Sequence, residues 1–280
     1  MLRKLLLKSK QIIFREIIRK EVPSSVFYTG SRLNIGDSMV PWLVKKVSGQ
    51  KLAYSNPLEA RGPHLFSIGS VLQYATSDCD IWGSGFISVG SECKSKPSSV
   101  YAVRGPLTGA RLNQLYGIEV YAYGDPALLT PLYIKPRRIG NPKYKVGVIP
   151  HYADKKFINQ LDSSQICVID VETDDIQKFV DDVSNCEVIF SSSLHGIILS
   201  EAFGLRAHWI EFGTSVAGDG FKFRDYYQST NRTIEPIKIS SHTNLLRLSA
   251  TISGEPLSAQ KLEDLQQGLL KTFPSGYRKQ

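Results

Sequence analysis

The 280-residue sequence predicts an α/β protein of two domains, each built on a parallel β-sheet. Apolar runs that end in glycine or serine alternate with helix-like stretches, which is typical of repeated strand–helix units. Apolar residues make up 42% of the chain, enough for one large or two medium hydrophobic cores. A basic stretch with proline and glycine at residues 134–143 divides the pattern, and we interpret it as an interdomain linker.

The first half contains five strand-like runs and two helix-like stretches. The predicted strands are 26–28, 65–69, 80–83, 100–103 and 120–123, and the predicted helices are 38–47 and 106–116. Asp37 suits the N-cap of the first helix, and Pro106 suits the first turn of the second. We therefore place the first domain at residues 23–135.

The second half repeats this pattern, and we place its domain at residues 143–255. Strands are predicted at 146–149, 166–169, 187–190 and 207–210, with helices at 174–183 and from 194 to 203, before Gly204. Residues 256–280 carry a terminal helix at 259–271 that we expect to cross back onto the first domain. Ligands of such sheets bind at the carboxyl ends of the strands, so we expect a cleft there.

The positive charge of the chain is concentrated at its start. Residues 1–20 hold seven basic residues and one acid, a net charge of +6 out of +8 for the whole chain. The remainder is close to neutral, which excludes the basic face that nucleic-acid binding requires. Residues 1–22 are predicted to form a basic amphipathic helix. It could lie on an anionic membrane surface or pack on its own domain, and its apolar runs are too short for a membrane span.

No cysteine or histidine cluster has the spacing of a metal site, and no C-x-x-C pair is present. We therefore expect no metal. We also expect buried, reduced thiols in a cytoplasmic protein at the four cysteines, Cys79, Cys93, Cys167 and Cys186.

The most informative segment is Ser-Ser-Ser-Leu-His-Gly at residues 191–196, which joins an apolar strand to a helix. A helix N-terminus presents unpaired N–H groups and partial positive charge, so it attracts phosphate or carboxylate. His195 in that first turn could donate a proton close to a bound anion. The alternative is a serine N-cap followed by a structural histidine.

Three other segments could contact a ligand. Arg104 lies between a strand and a helix, where it could clamp a carboxylate or phosphate or simply be a surface residue. Gly83-Ser84-Gly85 is a short loop that would let backbone approach a ligand, although it matches no nucleotide-binding fingerprint. Residues 218–227 mix charged and aromatic residues after two glycines, and could form a mobile substrate loop or fill the core.

In combination, seven short motifs in a fixed order resemble the polysaccharide pyruvyl transferase family, in particular its exopolysaccharide ketal-pyruvate members. The resemblance spans residues 26–230. The motifs are Asn-Ile-Gly-Asp at 34–37, Trp-Gly-Ser-Gly-Phe at 82–86, Val-Arg-Gly-Pro-Leu-Thr at 103–108, Gly-Asp-Pro-Ala-Leu-Leu at 124–129, Ile-Pro-His-Tyr at 149–152, Ser-Ser-Leu-His-Gly at 192–196 and Lys-Phe-Arg-Asp-Tyr at 222–226.

The resemblance implies two Rossmann-like domains in a GT-B-like arrangement, with a cleft between them and no metal or cofactor. It implies phosphoenolpyruvate as donor and a saccharide as acceptor, lipid-linked in capsule or exopolysaccharide assembly. His195 is then the expected acid, and the expected donor-binding residues are Arg104, Ser193, Leu194, Lys222 and Arg224. The residues expected to line the acceptor side or the cleft are Asn34, Gly36, Asp37, Gly83, Ser84, Gly85, Asp125 and His151. Because Ser193 stands where some members place an arginine, Lys222 or Arg224 gains importance for the donor.

In the implied reaction the enol methylene of the donor is protonated, a sugar hydroxyl attacks, phosphate leaves and a second hydroxyl closes the ketal. A nucleotide-sugar glycosyltransferase of the same architecture is the alternative enzyme, since fold alone does not decide chemistry. Glu201 would then suit a nucleotide ribose, or it is a solvated helix residue. A non-catalytic saccharide-binding protein is the third hypothesis. The expected location is the cytoplasm, at the inner face of the cytoplasmic membrane.

Overall fold

The computed structural model describes residues 25–29, 33–59, 62–137, 140–158, 164–212, 219–240 and 242–279. The basic helix predicted for residues 1–22, and with it the predicted membrane contact, lies outside the described residues. Within the described ranges, no helix is both long enough and apolar enough to cross a membrane.

The first half of the chain forms a parallel sheet of five strands in the order β2-β1-β3-β4-β5. The strands are β1 (Ser25–Phe27), β2 (Ala53–Tyr54), β3 (His64–Phe66), β4 (Cys79–Trp82) and β5 (Ser99–Ala102). Helix α1 (Ile35–Ser48) connects β1 to β2, and helix α2 (Pro106–Tyr116) follows β5. Helix α2 starts at Pro106, as the sequence predicted, and ends at Gly117 in the left-handed conformation that favours glycine.

The second half forms another parallel sheet of five strands, in the order β10-β9-β8-β6-β7. Its strands are β6 (Tyr144–Ile149), β7 (Ile166–Val168), β8 (Cys186–Ser191), β9 (Arg206–Glu211) and β10 (Ile237–Lys238). The helices that connect or follow them are α3 (Ile176–Ser184), α4 (Leu194–Ala202), α5 (Phe221–Ser229) and α6 (Leu245–Thr251). The predicted α/β class with two parallel sheets is therefore confirmed.

Both sheets have the same strand order when each is counted from its own first strand, namely 2-1-3-4-5. In this order the chain reverses its winding between the first and third strands, which are β1 and β3 in one sheet and β6 and β8 in the other. Ligands of open parallel sheets bind outside the carboxyl ends of the strands at such a switch point. The topology thus predicts that a ligand binds at the loops that follow these four strands.

The last helix, α7 (Ala259–Thr272), packs against the first half of the molecule. The indole N–H of Trp82 donates to the Leu269 carbonyl at 2.9 Å, and the Phe273 ring packs edge-on against the same indole. Tyr277, just beyond the helix, donates to the Asp80 carboxylate at 3.0 Å. Residues at the C-terminal end of the chain are therefore part of the core around the first sheet.

A continuous apolar cluster connects the two sheets. It contains residues of α1 in the first half and of α4 in the second, together with the 3₁₀ helix Pro126–Leu132 between them. The amide of Ile35 donates to the Val171 carbonyl at 2.8 Å, which joins the start of α1 to the loop after β7. The carboxyl ends of the two sheets consequently face each other.

Several local predictions were wrong. Asn34, and not Asp37, caps α1, because its side chain accepts from the Gly36 amide. Residues 120–123 form no strand beyond one bridge between Tyr123 and Val103. Of the residues at 218–227 that the structure describes, those from Phe221 onward belong to helix α5, so the loop hypothesis fails there and the buried rings fill the core. The four cysteines are free, but Cys167 is only partly buried.

Candidate active site

His195 lies in the first turn of α4, directly after the third strand of the second sheet. Its imidazole packs on the backbone of Gly36 at the start of α1, where any Cβ would overlap the ring. The His195 side chain is 13% exposed, so it stays reachable while its orientation is restricted. The glycine predicted to line the cleft is thus the position that admits the histidine from the opposite domain.

Asp125 faces His195 from the first half of the molecule. One carboxylate oxygen of this fully buried residue accepts from the Ala127 amide at 2.9 Å and caps the 3₁₀ helix. The other oxygen, Oδ2, lies 3.7 Å from His195 Nε2. Neither of these two facing atoms has a hydrogen-bond partner among the described residues. A protonated His195 would form an ion pair with this carboxylate.

Asp37, in the first turn of α1, is the second carboxylate close to His195. Burial raises the pKa of the Asp37 carboxyl, and hydrogen bonds from Thr29 and the charge of His195 partly oppose that effect. Thr29 follows β1, so it brings the switch point of the first sheet into the site. Sequence reasoning missed Thr29, because a threonine after a short strand gives no distinctive signal.

The serine-rich turn is held by its own hydrogen bonds. The Ser191 hydroxyl lies 2.8 Å from the Ile149 carbonyl and accepts from the Ser193 amide at 3.0 Å. The Ser192 hydroxyl accepts from the His151 amide at 2.9 Å, which ties together the loops after β6 and β8. Two of the three serines therefore build the turn. The first N–H groups of α4 have no intrahelical partner, as in any helix, and this end attracts anions.

Arg104 lies at the carboxyl end of the first sheet and is fully buried. Its guanidinium donates to Asp225 on α5 at 3.0 Å, to the Ser70 hydroxyl at 2.6 Å and to the Phe86 carbonyl at 2.6 Å. The carboxylate of Asp225 also accepts from the amide and hydroxyl of Thr108. The arginine thus ties α5 to the first sheet. The predicted contact between Arg104 and a donor stays a prediction, and it would require one of these partners to be released.

Lys222 and Arg224, both on α5, differ in their surroundings. Lys222 is partly buried, and burial together with the charge of Arg104 lowers the pKa of its amine to about 8, partly opposed by Asp154. Arg224 instead pairs with Glu235 on the surface at 2.5 Å and stacks on Trp209. Lys222 is therefore the cation next to the buried ion pair of Arg104 and Asp225, while Arg224 faces outward.

The remaining predicted cleft residues serve close packing in this structure. Gly83 and Gly85 lie where a side chain would overlap Pro126 and Arg104 respectively. The buried Ser84 hydroxyl donates to the Ser67 carbonyl at 2.9 Å. Leu194 is buried at the start of α4. A ligand contact at these residues stays a prediction.

Glu201 on α4 is buried, so the interpretation of it as a solvated helix residue was wrong. Its carboxylate is buried and accepts from Tyr226 and from Arg232, both at 2.6 Å. The partners come from α5 and the segment after it, and their spacing along the chain gave no sign of this network.

Comparisons with known proteins show the family to which the chain belongs. A sequence profile described as polysaccharide pyruvyl transferase matches residues 68–212, more than half of the chain. The matched range contains Arg104, Asp125 and His195.

Two curated proteins are similar over most of their length. An uncharacterized protein of Acanthamoeba polyphaga mimivirus is 29% identical over 218 residues, which is 75% of this chain and 75% of that protein. The succinoglycan biosynthesis protein ExoV of Rhizobium meliloti is 27% identical over 242 residues, which is 79% of this chain and 68% of that protein. A crystal structure of an uncharacterized Klebsiella pneumoniae protein aligns with a TM-score of 0.45 at 12% identity, over 83% of this chain and 98% of the other. On the profile match, the chain belongs to the polysaccharide pyruvyl transferase family.

Proposed function

We propose that the protein transfers the pyruvyl group of phosphoenolpyruvate to a saccharide as a ketal, with release of phosphate. The observation that carries this proposal is His195 at the N-terminus of α4, 3.7 Å from the buried Asp125 carboxylate. Family membership supports pyruvyl transfer, and similarity to a succinoglycan biosynthesis protein supports an exopolysaccharide or capsular acceptor.

The two facing sheets support a GT-B-like arrangement in which the substrates enter between the domains. Each sheet contributes its switch point, with the loops after β1 and β3 on one side and those after β6 and β8 on the other. We propose that the second sheet binds the donor and the first sheet the acceptor. His195 on the second sheet would then meet both substrates.

The reaction begins with proton transfer from the imidazolium of His195 to the methylene carbon of the donor. The double-bond electrons form the new C–H bond and leave an oxocarbenium-like carbon, which a sugar hydroxyl attacks while its proton returns to the neutral His195. Phosphate then leaves with the electrons of its C–O bond, a second hydroxyl attacks the same carbon to close the ketal, and the proton of that hydroxyl goes to the departing phosphate. Asp125, 3.7 Å from His195 Nε2, orients the imidazole ring for this transfer. The products are one pyruvate ketal and one phosphate.

The donor carries a phosphate and a carboxylate, so its site needs cations and N–H groups. The N–H donors come from the start of α4, where the backbone amides of Leu194 and His195 lie beside the Ser193 hydroxyl. Lys222 supplies the cation. We propose that Arg104 acts as a positioning residue, because its bond to Asp225 holds the helix that carries Lys222.

The nucleotide-sugar alternative loses its main support. It rested on Glu201 as a ribose contact, and both Tyr226 and Arg232 already bind that buried carboxylate. We further propose a cytoplasmic protein that meets a lipid-linked acceptor at the inner membrane face.

The proposal is tested by incubating the full-length protein with phosphoenolpyruvate and deacylated, depyruvylated exopolysaccharide oligosaccharides. We expect phosphate release that depends on both substrates, and mass spectra that show a ketal-linked pyruvate on the sugar. Transfer of sugar from a nucleotide-sugar donor in parallel reactions, without consumption of phosphoenolpyruvate, would replace this function with the alternative.

A further inference from the structure

A cavity of about 480 Å³ lies at the carboxyl end of the first sheet, beside its edge strand β2. This volume falls within the range of about 300–1,000 Å³ that is usual for small-molecule sites. Most of its wall is aromatic or aliphatic, with two polar side chains. The lining residues are Phe27, Tyr28, Thr29, Tyr54, Asn56, Leu58 and Tyr74.

The aromatic rings of the cavity hold one another in place. Tyr54 packs edge-on against Tyr28 with ring centroids 5.0 Å apart, and Phe27 lies 5.5 Å from Tyr74. Tyr54 and Leu58 are nevertheless half exposed, at 50% and 51%. Large exposed apolar side chains next to a concave surface are typical of binding sites. The wall is thus formed before any ligand arrives.

The charge of the cavity selects the class of ligand. Among the residues that the structure describes, no side chain that lines the cavity is cationic, and the Asn56 amide donates to the nearby Glu59 carboxylate at 2.7 Å. These described walls offer phosphoenolpyruvate or a nucleotide diphosphate no counter-charge. A pyranose ring is uncharged, and it presents a face of C–H groups to an aromatic ring and hydroxyls at its edge. Such a ring matches the tyrosine wall and the polar groups of Thr29 and Asn56.

Thr29 joins this cavity to the candidate active site. Its side chain lines the cavity and also bonds to Asp37, whose carboxylate interacts with His195. We infer that the cavity binds a pyranose unit of the saccharide acceptor, with Tyr54 as the exposed stacking ring. This inference rests on the proposed function and assigns acceptor contacts to residues outside the predicted cleft motifs.

The binding step is tested without donor, by saturation-transfer NMR on the full-length protein. The probes are the methyl β-pyranosides of galactose, glucose and mannose. We expect transfer to the ring C–H protons of at least one probe, and affinity about ten-fold lower in Tyr54→Ala because one aromatic contact is lost. Tyr54→Phe keeps the ring and should bind like the wild type. Tyr121→Ala, at a tyrosine 84% exposed and outside the cavity, is the matched control.

Two results would overturn the inference. One is no saturation transfer from the wild-type protein to any of the three glycosides, and the other is equal affinity in Tyr54→Ala and wild type. The transferase assay separates this inference from the proposed function. If a glycoside binds in a way that depends on Tyr54 but no phosphate is released from phosphoenolpyruvate, the saccharide site in the cavity is supported and the proposed pyruvyl transfer is wrong. If pyruvyl transfer occurs and Tyr54→Ala leaves the KM for the acceptor unchanged, the proposed function stands and only the assignment of the cavity as an acceptor site is wrong.

Discussion

The two sheets share one strand order but differ in the chemistry at their carboxyl ends. The first sheet presents glycines and carboxylates there, including Gly36, Asp37 and Asp125, whereas the second presents a serine turn and His195. The glycines of the first sheet make room for side chains from elsewhere, as Gly36 does for the imidazole. One scaffold used twice thus yields one surface that makes room for side chains and another that carries the candidate acid.

Removal of His195 should have the largest effect on the reaction, because His195 is the proposed acid. We expect His195→Ala to lower kcat by about 10²–10⁴-fold, which is the usual contribution of a general acid. His242→Ala, at an exposed histidine, should keep the wild-type rate. Near wild-type turnover in folded His195→Ala protein would show that His195 is not the acid.

The junction between the sheets is tested by two carboxylates that each pair with an arginine. Asp225→Ala leaves Arg104 buried without its counter-charge, and we expect the free energy of unfolding to fall by about 3–5 kcal/mol. Glu235→Ala removes the exposed partner of Arg224 and should cost at most about 1 kcal/mol. Urea denaturation of both variants measures the difference. Equal losses would mean that the buried pair does not hold the halves together.

The receiving role of the first sheet is tested at Gly36. In Gly36→Ala the new methyl group must displace His195, so we expect a loss of roughly 1–3 kcal/mol in transition-state stabilisation, measured as kcat/KM. Gly268→Ala, in open space on α7, should leave kcat/KM unchanged and raise stability by about 0.5–1 kcal/mol. Full activity in Gly36→Ala would show that the ring position is not critical.

The pH dependence of donor binding tests the cation of the second half. The folded pKa of Lys222 is lowered from 10.5 to about 8, so the charged form is present below pH 8 and is lost above it. We expect the KM for phosphoenolpyruvate to rise as pH increases beyond 8, and Lys222→Arg to remove that rise. A KM that stays constant from pH 7 to pH 9.5 would contradict this role of Lys222.

The lowered pKa of Lys222 also affects the stability of the fold. Burial of the charged amine is unfavourable at low pH, so the contribution of Lys222 to the free energy of unfolding improves as pH rises from 8 to 10.5.

The smallest effect is expected from a chelator. Since neither half is expected to supply a metal to the reaction, EDTA should leave phosphate release unchanged. Loss of activity in EDTA that a divalent ion restores would show that donor binding requires a metal in addition to the residues of the second sheet.

The sequence by itself determined the α/β class, the order of most strands and helices, and several helix ends. Pro106 starts α2 and Gly117 ends it, while His195 falls in the first turn of α4. These features depend on neighbours within a few residues, where backbone preferences and capping act. The family motifs were likewise visible, because each is a run of four to six consecutive residues.

Only the tertiary structure decided which segments meet. Arg104 and Asp225 are separated by 121 positions, and their pairing converts a predicted surface or ligand contact into a buried junction. The same holds for Glu201 and for the aromatic cavity, whose rings come from the ends of two strands, β1 and β2, and from the 3₁₀ helix Leu72–Tyr74. Such contacts follow from the packing of whole elements, since burial and charge pairing depend on neighbours in space that adjacent residues do not specify.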